Sequence, residues 1–342
     1  MGKAEPIEAY FKVLRPHSRE ARERRPAEWA VENQEVIKAR LRQAGPVTWY
    51  SKVEIVKDSG VFTDPNAVDT TAEPFFRSFG YEPKDLAGKR LLDIGAFSGG
   101  MSFFAEDWGA EVVAIDIQSP ETNGFALIHD IRQSCVTHVV ASIYDIHPDL
   151  FGIFDVVVFS GVHYHLKHPL LALERLSAVT KTGGDLLALG TAADYWIHKP
   201  GTETMGVDLS KIGQDMLPGH VALETLNEIP LLAFYRDKYM LDDSNWFIPN
   251  TLALADMVAA SGYDVLSTGT FSVHRPLINA PIACALVKAR KAREPKAEYL
   301  PDVYADLRRF SAGSPPSSTF SIPTWYELER QRRENMHLRG DS

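Results

Sequence analysis

The chain of 342 residues has only two cysteines, Cys135 and Cys284, and both lie among apolar residues. Such a pair predicts small buried side chains in a reducing compartment, and neither a disulfide nor a thiolate metal site. Apolar runs that approach the ~20 residues of a membrane-spanning helix are missing. The N-terminus, MGKAEPIEAYFKVL, also lacks the apolar core of a signal peptide. These absences predict a cytoplasmic protein with no membrane partner.

The chain also lacks a net positive charge, because 36 Lys and Arg residues stand against 45 Asp and Glu residues and give a net charge of −9. Phosphate binding needs a local positive potential, so nucleic acid is not the favoured partner. A basic patch on an acidic protein keeps it as an alternative, and the N-terminal run RPHSREARERRP is the most basic stretch. Its other interpretation is a solvated helix face.

The most informative stretch runs from Lys89 to Ile117, KRLLDIGAFSGGMSFFAEDWGAEVVAIDI. An apolar run from Leu91 ends at Gly95, a helical segment follows from Met101 to Trp108, and a second apolar run ends at Asp116. Short apolar runs bounded by turn residues are typical of central parallel strands. The stretch therefore predicts a right-handed βαβ unit.

Two acids frame this unit, Asp93 at the end of the first strand and Asp116 at the end of the second. An acid roughly 20 residues after a glycine-rich first turn can bind both ribose hydroxyls of a nucleoside. In the turn GAFSGG, Phe97 stands where a dinucleotide fingerprint has its second glycine, and its bulk would obstruct a pyrophosphate. Asp93 suits a cationic amino group instead. The features together predict S-adenosylmethionine as the cofactor.

The same stretch resembles motifs I and II of class I SAM-dependent methyltransferases. LDIGAFSGGMSFFAEDWGA resembles one branch in particular, the tRNA (mo5U34) methyltransferase-like proteins related to tRNA wobble-uridine carboxymethyltransferases. FDVVVFSGVHYHL, from Phe154, resembles motif IV, and NWFIPN, from Asn245, resembles a segment that borders the substrate pocket in that branch. The resemblance covers roughly residues 47 to 290.

The turn, the two acids and the resemblance together indicate the cofactor-binding residues. They are expected at Asp93, Gly95, Phe97, Gly99, Asp116, Ile117, Ser142, Ile143 and Ser160. Ser142 stands where the family usually has an acid, and Asp145 follows three residues later. This departure leaves the identity of the adenine contact open.

Ligands of open parallel sheets bind beyond the carboxyl ends of the strands, which places Ser160 to His165 near the transferred methyl group. Imidazole suits proton removal from an alcohol, phenol or amine, so His163 and His165 are candidate bases. Bracing of the loop is the alternative for each histidine. Tyr164 matches the tyrosine that the family places close to the transferred group. The alternating histidines of HYHLKH have no acid cluster beside them, so we expect no metal.

The resemblance also implies substrate contacts, with ordinary packing as the alternative. They are expected at Trp49, Lys52, Tyr195, His198, Trp246 and Asn250. The carboxymethyl-transferring members have a basic residue before the last strand, where this chain has Ala280-Pro281-Ile282-Ala283. We therefore favour plain S-adenosylmethionine as the cofactor, and a small molecule over tRNA as the acceptor.

The predicted fold is α/β, a Rossmann-like class I methyltransferase sheet with helices on both faces. We expect a helical N-terminal segment (1–46), a methyltransferase domain (47–290) with a lid insertion at about 192–243, and a C-terminal extension (291–342). The predicted activity is O-, N- or C-methylation of a small molecule. Alternatives are tRNA wobble-uridine modification, an NAD-dependent oxidoreductase and a non-catalytic cofactor-binding partner protein. The C-terminal tail could pack back or mediate a homo-oligomer.

Overall fold

A sheet of eight strands organises the chain. The computed structural model describes residues 7–20, 25–43, 52–63, 72–194, 196–198, 206–208, 228–235, 244–275 and 280–295. These residues belong to one compact unit, Met1–Pro295, whereas a second unit, Lys296–Ser342, lies outside the described ranges together with most of the predicted C-terminal extension.

The eight strands are β1 (Lys12–Leu14), β2 (Arg90–Ile94), β3 (Glu111–Asp116), β4 (Thr137–Val140), β5 (Phe154–Ser160), β6 (Thr180–Ala192), β11 (Tyr263–Arg275) and β12 (Ala280–Lys291). Their order across the sheet is β1-β4-β3-β2-β5-β6-β12-β11. Two small hairpins pair β7 (Trp196–His198) with β8 (Gly206–Asp208) and β9 (Leu232–Phe234) with β10 (Phe247–Pro249).

The helices of the described ranges are α1 (Ala27–Glu32), α2 (Gln34–Gln43), α3 (Ala72–Ser78), α4 (Pro83–Leu86), α5 (Gly100–Asp107), α6 (Phe125–Arg132), α7 (Pro148–Phe151), α8 (Pro169–Val179) and α9 (Thr251–Ala260). Short 3₁₀ turns occur at Ile7–Ala9, Ile143–Asp145 and His163–His165. None of the helices in these ranges combines the length and the apolar character that crossing a bilayer requires.

The centre of the sheet is parallel and is buried on both faces, as the continuous apolar runs predict. Strand β2 pairs in parallel with β3 on one side and with β5 on the other. Leu92 contributes to the hydrophobic core on one face and Leu91 to the core on the opposite face. The chain leaves β2 for β3 and β4 and then returns to β5, so the topological switch point lies between β2 and β5. The predicted α/β fold is confirmed.

The N-terminal segment departs from its predicted helix. Residues Lys12–Leu14 form an edge strand that pairs antiparallel with β4, and Phe11 packs against Phe151 with ring centroids 5.7 Å apart. The helical prediction is wrong here because the open edge of β4 offers backbone partners that an isolated helical segment does not have. The boundary at residue 46 stays a prediction.

Two further differences concern the second half of the chain. The sequence showed no strong period between residues 192 and 243, yet β7, β8 and β9 lie in that interval. Strand β11 is 13 residues long and pairs along its length with β12, although its sequence has only a weak strand pattern. Its serine and threonine residues weaken the apolar alternation that signals a strand.

Candidate active site

Four loops meet at one edge of the sheet. Strands β4, β3, β2 and β5 are mutually parallel, so their carboxyl ends share that edge. The loops that follow these ends begin at Gly95, Ile117, Ala141 and Gly161. This is the switch-point edge at which open parallel sheets bind ligands.

The glycine turn holds two glycines that serve different purposes. Gly95 is exposed, has a φ of 71°, and donates its N–H to the carbonyl of Ile115 at 2.8 Å. Gly99 is buried with a φ of 86°, and a Cβ there would lie 2.4 Å from Cε2 of Phe103. A Cβ at Gly95 would lie 2.4 Å from Cγ2 of Val162, so the missing side chain of Gly95 lets the loop after β5 approach the turn, whereas that of Gly99 lets α5 pack.

The carboxylate of Asp116 organises the turn. Its Oδ2 accepts the N–H of Phe97 and its Oδ1 accepts the N–H of Gln118, each at 2.8 Å. Phe97 has a φ of 45°, so the bond holds a non-glycine residue in the left-handed region. Burial raises the pKa of Asp116, although the backbone donors oppose that rise. The next side chain, Ile117, is 73% exposed. Each oxygen of the Asp116 carboxylate can accept a second donor. Asp116 therefore suits the hydroxyls of a ribose, and the exposed Ile117 side chain suits the face of an adenine ring.

Asp93 is more enclosed than the sequence suggested. Its side chain is buried at the end of β2, and the hydroxyl of Ser102 donates to Oδ2 at 2.6 Å. Burial raises the pKa of Asp93 to about 6 even though Ser102 opposes the rise. Asp93 therefore acts on the turn through Ser102 and α5 in this arrangement, and direct contact with an amino group stays a prediction.

The predicted adenine segment forms a small capped turn. Ser142 accepts the N–H of Tyr144 at 3.3 Å, and the N–H of Ser142 donates to Oδ2 of Asp145 at 3.0 Å. Asp145 thus holds the turn and Ile143 is buried beneath it. Ser160 is half-buried at the end of β5, on the opposite side of the switch point. Both segments follow the carboxyl ends of their strands, and their contacts with a cofactor stay predictions.

The 3₁₀ turn His163–His165 separates its two histidines. His163 is buried, its Nε2 lies 3.1 Å from the carbonyl of Thr191, and burial lowers its pKa to about 4. This geometry favours the bracing role for His163 over that of a base. His165 is half-buried, and its Nδ1 lies 2.9 Å from Oγ of Ser244. Tyr164 lies between them, and its hydroxyl oxygen is 3.6 Å from the position of a Cβ on Gly161.

The hairpin of β9 and β10 lies against Tyr164. Ala193, Tyr235 and Ile248 form a small apolar cluster onto which the Tyr164 ring packs. Trp246 is half-buried, and its backbone N–H donates to the backbone carbonyl of Tyr164 at 2.8 Å. The predicted segment NWFIPN therefore borders the same edge of the sheet as motif IV.

Asn250 caps a helix and is enclosed by the protein. It is buried at the N-terminus of α9, where its Oδ1 accepts the N–H of Ala253 at 2.8 Å. Its Nδ2 donates to the carbonyl of Ile229 at 2.7 Å. Because both ends of the amide are engaged, the geometry favours packing over the predicted substrate contact.

The remaining predicted substrate residues are only partly covered. Lys52 extends along the hairpin at residues 52–63, with Nζ 4.2 Å from the centre of the Phe62 ring. His198 lies in β7, and its side chain is not among the described ones. Trp49 and Tyr195 lie outside the described residues. These four contacts stay predictions.

Two residues that the sequence did not single out join the site. Ser244 contacts His165, and the ammonium group of Lys167 lies 4.3 Å above the centre of the Trp246 ring. Their only sequence signal is proximity, since Ser244 precedes NWFIPN and Lys167 lies within HYHLKH.

A cavity of about 380 Å³ lies elsewhere, at the amino ends of the strands. Its charged groups are largely paired: Arg290 contacts Asp185 at 2.8 Å and Lys181 contacts Asp155 at 3.1 Å. We place the candidate active site at the carboxyl edge because the glycine turn and Asp116 lie there.

Residues 72–268, more than half of the chain, match a protein family described as a methyltransferase domain. The chain belongs to this methyltransferase family. The matched range contains every loop of the carboxyl edge described above. The predicted methyltransferase class is thereby confirmed, and the tRNA (mo5U34) branch stays a prediction.

Curated relatives include the ubiquinone biosynthesis O-methyltransferase of Xanthomonas oryzae pv. oryzae, which is 34% identical over 103 residues. That match covers 30% of this chain and 43% of the relative, so the chain spans less than half the length of the curated relatives it matches.

Solved structures include an S-adenosylmethionine dependent methyltransferase from Mesorhizobium loti, at 15% identity and a TM-score of 0.45, covering 65% of this chain and 98% of that one. Another is the 1,6-didemethyltoxoflavin-N1-methyltransferase of Burkholderia thailandensis, at 15% identity and a TM-score of 0.43, covering 84% and 98%.

Proposed function

We propose that the protein is a SAM-dependent methyltransferase that acts on a small molecule. S-adenosylmethionine supplies an electrophilic methyl group on a sulfonium. The residues that would hold it are Asp116 and Ile117 at the nucleoside and the turn at Gly95 next to its amino-acid part. The single observation that carries the proposal is the Asp116 carboxylate, held by two backbone N–H groups beside the exposed Ile117 at the switch-point edge.

The chain's own residues contribute position and shielding. Tyr164 and the hairpin of β9 and β10 form the wall beside the end of β5. An in-line displacement needs its reacting atoms aligned, and packed aromatic walls achieve this while they exclude water. Ser160 and Gly161 lie at the end of β5, which pairs with β2 next to the glycine turn.

A small-molecule acceptor is favoured over tRNA. Two cations in the N-terminal part of the chain are paired with acids: Arg15 contacts Glu8 at 3.0 Å, and Arg40, on α2, contacts Asp130 at 2.8 Å. Arg25 stacks on Trp29 at 4.0 Å. The curated relatives are named O-methyltransferases, which supports a hydroxyl group as the acceptor.

The tRNA wobble-uridine branch is a second proposal, supported by the contact of two branch segments. Trp246 of NWFIPN bonds the backbone of Tyr164 in motif IV at 2.8 Å. Methylation of unmodified tRNA, with no turnover of small hydroxyl compounds, would favour this branch over the first proposal.

Calorimetric titration with S-adenosylmethionine tests the cofactor. We expect Asp116→Asn to bind about tenfold to a hundredfold more weakly than the wild type, because hydrogen bonds to a charged group contribute about 1.5–3 kcal/mol. Asp256→Ala, which changes an exposed acid on α9, is the matched control and should bind like the wild type. Absence of binding by the folded wild type would refute the cofactor assignment, and equal binding by Asp116→Asn would refute the role of Asp116.

A further inference from the structure

The first residue of β1 lies at the carboxyl edge of the parallel strands. Strand β1 runs antiparallel to β4, and its residue Lys12 pairs with Val140, the last residue of β4. Val140 pairs in turn with Asp116, the last residue of β3. The N-terminal strand therefore brings Lys12 close to the loop after β3, which begins with Ile117.

Lys12 binds this loop at two points. Its ammonium group donates to Oε2 of Glu121 at 2.7 Å and to Oγ of Ser119 at 3.1 Å, across 109 and 107 positions of sequence. The Ser119 hydroxyl also donates to Oε2 of Glu121. Burial acts to raise the pKa of Glu121, but the bonds from Lys12 and Ser119 outweigh it and lower that pKa to about 2. The three side chains therefore form one charged network at neutral pH.

The network holds a segment whose two ends belong to the candidate cofactor site. We call residues 118–123 the β3 loop. At its start, the N–H of Gln118 donates to Oδ1 of Asp116 at 2.8 Å. At its end, the hydroxyl of Ser98 in the glycine turn donates to the carbonyl of Asn123 at 2.8 Å. The middle of the β3 loop is held from the outside, by strand β1.

Strand β1 has its own anchors in the core. Phe11, the residue before Lys12, packs against Phe151 of α7 with ring centroids 5.7 Å apart. The half-buried side chains of Val13 and Leu14 pack against the hydrophobic cores on the two faces of the sheet. The strand is therefore a fixed base for the ammonium group, and it stays in place when that group is removed.

We propose that Lys12 is a positioning residue for the cofactor, because it holds the β3 loop so that Ile117 lies where the nucleoside binds. The inference rests on the proposed function and gives the N-terminal strand a part in it. Ordering of a chain segment on binding costs conformational entropy. A segment that is already held in place avoids that cost, so its binding site has a higher affinity.

A purely structural role for the ion pair predicts a different result. The side chains of Lys12 and Glu121 are 57% and 53% exposed, and exposed ion pairs contribute little to the stability of a fold. Loss of the ammonium group should therefore appear in cofactor affinity and in the motion of the β3 loop. Thermal unfolding should be almost unaffected.

Calorimetric titration with S-adenosylmethionine measures the effect on affinity. We expect Lys12→Met to bind about two- to fivefold more weakly than the wild type, the range over which exposed ion pairs act. Lys12→Glu, which places two acids side by side, should bind about tenfold more weakly. The Tm of both variants should stay within about 3 °C of the wild type.

Hydrogen exchange of the protein without cofactor measures the β3 loop directly. The amides of residues 118–123 should exchange about two- to fivefold faster in Lys12→Met than in the wild type, because the loop opens more often when one of its contacts is lost. The amides of β5, at the centre of the sheet, should exchange at the same rate in both proteins.

Two control variants separate this contact from a general effect of charge. Lys38→Met removes another exposed lysine, which pairs with Glu35 on α2 at 2.9 Å, and should change neither affinity nor loop exchange. The double variant Lys12→Glu/Glu121→Lys re-forms the ion pair with its charges exchanged. It should restore both quantities to within about twofold of the wild type.

Each result decides one part of the proposal. Equal exchange of the β3 loop in Lys12→Met and the wild type would overturn the positioning role. Faster loop exchange together with unchanged affinity would overturn the link to the cofactor. Failure of the folded wild type to bind S-adenosylmethionine would overturn the proposed function, while the exchange rates would still decide whether Lys12 holds the loop.

Discussion

Gly190 on β6 lets two residues of the candidate site take their positions. A Cβ at residue 190 would lie 2.3 Å from Cε1 and 2.7 Å from Nδ1 of His163, and 3.1 Å from Cε1 of Tyr164. Gly190→Ala therefore requires the buried His163 ring to move by about 1 Å, since packed carbon atoms lie ~3.5 Å or more apart. The bond from Nε2 of His163 to the Thr191 carbonyl, now 3.1 Å, would stretch beyond hydrogen-bond range.

The expected loss of stability follows from these two effects. Overpacking a buried ring costs about 1–3 kcal/mol. Leaving a buried donor unsatisfied costs about 1–3 kcal/mol more. We expect the free energy of unfolding of Gly190→Ala to fall by roughly 3 kcal/mol, which lowers the Tm by about 10 °C in a domain of this size. Methyl transfer should also slow, because Tyr164 is displaced.

Gly269→Ala is the matched control. Gly269 also lies within a strand, but a Cβ there would lie 3.6 Å from Cδ1 of Leu286, an ordinary contact. Thermal unfolding followed by circular dichroism should leave Gly269→Ala within about 2 °C of the wild type. Equal Tm values for the two variants would refute the steric argument.

A double-mutant cycle identifies the neighbour responsible. In a His163→Ala background the overlap with the imidazole is removed, so Gly190→Ala should cost at least ~1 kcal/mol less than it does in the wild type. Equal costs in both backgrounds would show that His163 is not the residue that requires a glycine at position 190.

Two further predictions concern buried charges. Burial raises the pKa of Asp93 from 3.8 to about 6, so the stability that its neutral carboxyl contributes is present below about pH 4 and is lost as the pH rises through 6. Above pH 6, Asp93→Asn should therefore have a higher Tm than the wild type, by an amount equivalent to roughly 3 kcal/mol. A Tm difference between the two proteins that does not change between pH 4 and 7 would contradict this prediction. Arg132 is buried and bonds Asp107 at 2.7 Å and the carbonyls of Glu54 and Ile55, each at 2.9 Å. Arg132→Met should lower the free energy of unfolding in urea by roughly 3 kcal/mol or more, because the variant removes the ion pair with Asp107 and the donor to two buried carbonyls. Exposed Arg42→Met is the control, and equal midpoints would refute the argument.

Much of the cofactor side was predictable because its signals are local. The stretch from Lys89 to Ile117 contains its own strands, turn and helix, and periods of two and 3.6 residues record which side chains are buried. The start of helix α9 is also marked locally, since Asn250 caps its first turn. The match over residues 72–268 agrees with the class that these motifs indicated.

The N-terminal segment shows where local signals fail. Ile7, Tyr10, Phe11 and Leu14 have helical spacing, yet Lys12–Leu14 pairs with β4. Pairing with a strand more than 120 positions away depends on an edge that exists only after the sheet has formed. Intrinsic spacing is a weak preference, and tertiary context overrides it.

The amino-acid sequence by itself determined the βαβ unit, the glycine turn and the methyltransferase class, because each is encoded within a few dozen neighbouring residues. Only the tertiary structure decided which histidine of HYHLKH is enclosed, that Asn250 caps a helix, and that Ser244 meets His165 across 79 positions. Burial and long-range contacts arise from how strands are ordered in the sheet, and residue types at single positions do not specify that order.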